Sequence, residues 1–200
     1  MAFCPAWLRK FILRQEKRVI FWIRRRNEVA RFEDIIVSDI QRDDRFREAI
    51  LAALQLVKNT DPRRFARITK HIKWIVTWAA HRPCCTYLHS TKTCAIDIKV
   101  AKVMSRSELN TIYFATVLVH EATHAVLESR SIKYTPEFRS RIEKLCVTEE
   151  NRFLKRLALT CPDLVEKFGQ RKYDESEWKD AWNRTHTSKL WRTLRRSFSE

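Results

Sequence analysis

Five consecutive residues, His120-Glu121-Ala122-Thr123-His124, combine the side chains of a metal-dependent hydrolase. On a helix, residues four apart lie one turn apart on the same face, so His120 and His124 can aim their imidazoles at one ion. Glu121 follows the first histidine and points beside that ion, where its carboxylate can take a proton from metal-bound water. Zinc suits such a site because it accepts imidazole and carboxylate ligands and lowers the pKa of its water to about 7. The spacing therefore predicts one zinc ion, with His120 and His124 as ligands and Glu121 as general base. Leu118, Val119, Ala122, Ala125 and Val126 flank the pattern and predict a buried helix.

The third ligand has to come from elsewhere. A nearby histidine is excluded: Leu127 and Arg130 stand where an extended histidine pattern needs Gly and His, and no histidine follows until His186. Three carboxylates on the next helix remain: Glu143, Glu149 and Glu150. Glu150 shares a helix face with Cys146, Phe153 and Leu157, so it should point inward, and a buried charge needs a partner that zinc would supply. Glu150 is the expected ligand. Glu149, on the other shoulder of that face, stays an alternative. Glu143 reads as an ion-pair partner of Arg139 or Arg141, or as an acceptor for the N–H of a ligand histidine.

The stretch from about 105 to 158 resembles the core of the zincin metallopeptidases, gluzincin branch. Val119 to Ala125, with Arg141-Ile142-Glu143, Cys146, Glu150 and Phe153, is also similar to uncharacterised bacterial proteins. The zincin resemblance implies His120, His124 and Glu150 as zinc ligands, Glu121 as base and a peptide or protein substrate. It also implies a cleft-lining strand that pairs with an extended peptide, for which Ile96 to Val100 is the candidate. Tyr134 and Tyr173 are possible donors to the oxyanion, though packing or surface roles fit both.

The elements that must position these residues read as α+β, mostly helical, with a small three-stranded mixed or antiparallel sheet before the motif helix. Helices are expected over 43–58 and 62–70, the second opened by Asp61-Pro62. Residues 29–42 are ambiguous. Strands are expected over 72–78, 86–91 and 94–100. Ser105 or Ser107 should cap a motif helix over 107–129, and Thr135-Pro136 should open a helix running to about 159. Three regions follow: a basic amphipathic helix within 1–28, a zincin-like core over 29–160, and a helical tail over 161–200 packed on the core.

Composition limits the partners. The chain has 200 residues, a formal charge of +16, a single glycine and six cysteines. So few chain breakers disfavour a many-turned β-sandwich. None of the cysteines forms a CxxC pair, which weakens a structural zinc knuckle. No secretory signal is evident, so the expected location is cytoplasmic. The basic N-terminal helix is suited to docking on the domain, to a peripheral position on an anionic membrane surface, or to another polyanion. The competing reading is a non-catalytic basic binding module whose zinc site is structural or vestigial.

Overall fold

The computed structural model describes residues 26–78 and 85–172. The expected basic helix and the tail helix beyond 175 lie outside the described residues, as do His81, His186 and Tyr173. The fold is α+β and mostly helical: β1 (Glu28–Phe32), β2 (Ile35–Ser38), α1 (Asp44–Thr60), α2 (Pro62–His71), β3 (Trp74–Trp78), β4 (Cys85–Leu88), β5 (Thr93–Asp97), α3 (Ile98–Met104), α4 (Asn110–Ser129), α5 (Arg139–Leu157) and α6 (Pro162–Phe168). No helix among the described residues is long and apolar enough to cross a membrane.

Helix starts follow local chemistry. Asp43 accepts a hydrogen bond from Arg45 N at 2.9 Å and opens α1. Asp61 accepts from Arg64 N at 3.1 Å and opens α2, with Pro62 in its first turn. Each carboxylate satisfies a backbone donor that a helix start would otherwise leave unpaired.

The sheet has five strands rather than the expected three, in the order β1-β2-β3-β5-β4. The ambiguous stretch after residue 28 supplies β1 and β2, an antiparallel pair joined by the tight Glu33-Asp34 turn. β2, β3 and β5 run parallel, and β4 returns antiparallel to β5. Ile35, Val37, Ile75, Cys94 and Ile96 face one way and join α1, α2, α4 and α5 in the main core. Val76 and Ala95 face the other way, with Trp74, Trp78 and Leu88 against them.

Two corrections bear on the site. The expected strand 94–100 stops at Asp97, because the Asp97 carboxylate accepts from Lys99 N at 2.8 Å and Val100 N at 3.4 Å and starts α3 instead. Ile96 to Val100 therefore cannot be a substrate-pairing strand: β5 lies between β3 and β4, with a partner on each side. Among the described residues β4 is the edge strand on that side, and it packs against α4. The starts of the two site helices also differ from expectation. α4 begins after Leu109, preceded by a turn in which Ser107 Oγ accepts from Leu109 N at 3.2 Å. α5 begins at Arg139, after a turn in which Thr135 contributes its carbonyl rather than a side-chain cap.

Candidate metal centre

The two central elements are α4 and α5, which pack against each other along their length. α4 is apolar on nearly all sides, with Phe114, Ala115, Leu118, Val119, Ala122 and Ala125 all buried. That burial fixes His120 and His124 on the face toward α5. After α4, Ser131 takes a left-handed backbone (φ 64°), the conformation that commonly turns a chain out of a helix. The loop then brings Tyr134 back over the site, its ring edge-on to His124 at 5.5 Å between centroids.

The imidazoles converge through Nε2, the two atoms lying 3.0 Å apart. Glu143 stands opposite, one oxygen 3.2 Å from Nε2 of His120 and the other 3.6 Å from Nε2 of His124. Atoms bound at 2.0–2.1 Å to one tetrahedral zinc ion lie about 3.3 Å apart, so the two nitrogens fit one edge of such a shell, and Glu143 meets each of them with a different oxygen. The Oε2 atom of Glu143 is buried and has no hydrogen-bond partner among the described residues. Its Oε1 accepts from the Tyr134 hydroxyl at 2.5 Å. Cys146, one turn beyond Glu143, is fully buried, and its Sγ and one nitrogen from each histidine all lie within 4.8 Å of one another.

Glu150, the expected ligand, sits elsewhere. Its Oε1 is 2.5 Å from Nδ1 of His120, across the ring from the nitrogen that meets His124. A carboxylate there accepts the Nδ1 proton and leaves the Nε2 lone pair free, as an outer carboxylate does for a metal-binding histidine. The other oxygen of Glu150 lies 3.7 Å from Nε of Arg171. Asn151 delivers that arginine, donating to Arg171 O at 2.8 Å and accepting from Arg171 N at 3.0 Å. Nothing in the local sequence pairs Arg171 with a site on α5, since the contact depends on how the chain returns after α6.

Glu149 turns away and belongs to a different cluster, with Arg64 at 2.9 Å, Arg67 at 3.0 Å and Arg152 at 2.5 Å. His89 is exposed and 3.4 Å from Glu128, and neither His89 nor His71 joins the site. The residue that sequence reasoning undervalued is Glu143. Its position on the inward shoulder of the helix, beside Glu150, is matched by its 3% exposure, but the sequence offered it an arginine or an outer acceptor role, whereas it faces both histidines. Its position three residues before Cys146 on one helix face was the available signal.

Electrostatics reflect a surplus of buried carboxylates. Glu121, Glu143 and Glu150 are each under 5% exposed, around two imidazoles. Burial works against protonating His120, but the adjoining carboxylates of Glu143 and Glu150 outweigh it and raise its pKa to about 10. Burial likewise disfavours the charged form of Glu143, yet the two histidines pull its pKa well below the usual carboxylate range. For Glu121 burial prevails and raises the pKa, with the histidines opposing and Glu143 and Glu150 adding to the rise. Burial also pushes the thiols of Cys94 and Cys146 up, helped by the charge of Glu121 on Cys94 and of Glu143 on Cys146. Without a metal, a proton on His120 therefore supplies positive charge that a cation would supply in its place. The chain matches no known protein family, no curated protein and no solved structure.

Proposed function

We propose that the chain is a zinc-dependent hydrolase of the metallopeptidase kind. The observation that carries this reading is the meeting of His120 Nε2 and His124 Nε2 at a near-tetrahedral separation, with one oxygen of Glu143 close to each and Glu121 buried on the same helix. His120, His124 and Glu143 would be the ligands, Glu143 taking the place that the sequence suggested for Glu150. A bound zinc ion supplies Lewis acidity and a water that ionises near neutral pH.

The chain's own residues do the rest. Glu150 holds the proton on Nδ1 of His120 and so aims its Nε2. Tyr134 positions Glu143 through its hydroxyl and packs on His124. Glu121, its pKa raised by burial, takes the proton of the attacking water and passes it to the leaving amine. β4, an edge strand among the described residues and packed against α4, is the strand beside which an extended peptide would lie.

The test uses the zinc-loaded full chain and a quenched-fluorescent peptide library. Glu121→Gln should keep one zinc per chain and lose about 10²–10⁴ in turnover. Undiminished hydrolysis in that variant would remove the mechanism.

A second reading, a basic membrane- or polyanion-binding module with a structural zinc site, draws on the formal charge of +16 and on Cys146. Four protein ligands that never leave the ion mark a structural site, whereas a catalytic one has or can open a position for water.

A further inference from the structure

We infer that Cys146 is the fourth ligand of the metal centre, so that the site rests in a closed form held by two side chains from each of two helices. The inference builds on the metal-site reading above. α4 contributes His120 and His124, four residues apart, and α5 contributes Glu143 and Cys146, three apart. Both spacings place the paired side chains one turn apart on a single helix face, and the two faces meet.

Three observations support a ligand role over simple packing. Cys146 Sγ and one nitrogen of each histidine already lie within 4.8 Å of one another. In a tetrahedral shell with zinc–sulfur at about 2.3 Å, sulfur and nitrogen ligands are about 3.6 Å apart, so a contraction of roughly 1 Å completes it. The carboxylate of Glu143, 3% exposed and 3.2 and 3.6 Å from the same two histidines, brings a buried negative charge to them that a cation would offset. Cys94, the other fully buried cysteine, sits on β5 behind Glu121 and is not in this group.

A thiolate in the fourth position occupies the place that a hydrolytic site leaves to water. The resting protein is then a latched zinc centre, and hydrolysis requires Cys146 to leave the ion. Zincs bound by imidazole and carboxylate alone need no such step.

X-ray absorption on the zinc-loaded full chain reads this directly. The expected first shell holds one sulfur at about 2.3 Å beside nitrogen and oxygen at about 2.0–2.1 Å. Cys146→Ser should remove the sulfur and weaken zinc binding more than about 100-fold, while Cys94→Ser should leave both unchanged. Cys146→Ala serves the same purpose if the serine disturbs the core, and the wild-type spectrum stands without either variant. A shell of nitrogen and oxygen alone around one bound zinc overturns the role of Cys146 and leaves the hydrolase reading intact. Persistence of the sulfur in Cys146→Ser likewise overturns it. Failure of the wild-type chain to bind zinc overturns both.

Discussion

α5 has two charged seams, and they are built on opposite terms. Along one, Glu149 meets Arg64, Arg67 and Arg152, while Asp61 meets Arg64 and, at 3.4 Å, Arg156. Each oxygen of Glu149 has a guanidinium, so its charge is matched, and the buried atom without a hydrogen bond on this side is a donor, Arg64 Nε. Along the other, Glu143 and Glu150 of α5 and Glu121 of α4 surround two imidazoles, and Oε2 of Glu143 has no hydrogen bond among the described residues. A matched seam ties helices together. A seam with surplus buried carboxylate is under-neutralised until a cation arrives, because buried charge without a partner is costly. Neighbouring residues 149 and 150 thus serve different ends by pointing in different directions from one helix.

The largest expected contrast is the response to zinc. Saturation at a thousand times Kd stabilises a folded protein by about 4 kcal/mol, or roughly 10 °C in Tm for a chain of this size. His124→Ala should abolish that rise in a thermal melt and reduce bound zinc to background by elemental analysis. An equal zinc-induced rise in this variant would place the ion elsewhere.

The adjacent glutamates sharpen the comparison at the next scale. Glu150→Gln should weaken zinc binding about 10–100-fold by titration, as loss of an outer acceptor to a ligand histidine does. Glu149→Gln should cost about 2 kcal/mol of unfolding free energy, because it removes one of the two carboxylates, Asp61 being the other, that face Arg64, whose side chain is 12% exposed. That cost should be the same with and without zinc. If Glu149→Gln instead shifts zinc affinity, the seams are not independent.

How much of this was legible in the sequence depends on whether local chemistry or tertiary placement decides. The motif helix was legible because apolar flanks and the four-residue spacing are local facts. So were α1 and α2, whose starts are fixed by Asp43 and Asp61. The alternation of Cys94, Ile96, Ile98 and Val100 predicted a strand, but a single cap at Asp97 ended it halfway. β1 and β2 were hidden because their strands are short and β1 lies at an edge with charged side chains. The inward aim of Glu150 was legible from its helix face, whereas which imidazole nitrogen it meets was not. Glu143 was obscured by neighbouring arginines, since sequence proximity says nothing of the two histidines that the fold sets against it.

pH separates the seams by sign. Without zinc, His120 has a pKa of about 10 against an ordinary 6.5, raised by Glu143 and Glu150 against the effect of burial. The stability it contributes is complete below 6.5 and lost as pH rises through about 10. Zinc competes with that proton, so the zinc-induced rise in Tm should grow across the same window. Burial raises the pKa of Glu149, but Arg152 and Arg64 lower it more, leaving it below 4.5. Its contribution is present above 4.5 and lost as pH falls through the lowered value. Melts of wild type and Glu149→Gln should therefore converge in acid, while melts with and without zinc diverge in base. A zinc effect that does not change with pH would mean that no proton is displaced.

The smallest effect belongs to Tyr134, which touches the metal seam from outside. Its hydroxyl donates to Glu143 and its ring packs on His124, but the residue is 45% exposed. A partly solvated hydrogen bond contributes about 1 kcal/mol or less, because water replaces the lost partner. Tyr134→Phe should therefore weaken zinc binding by at most about tenfold, while Tyr134→Ala, which also frees the His124 ring, should weaken it further. Calorimetric titration of the two variants separates the hydroxyl from the ring. If Phe and Ala behave alike and both match wild type, Tyr134 neither positions Glu143 nor supports His124, and α4 and α5 alone hold the ligands in place.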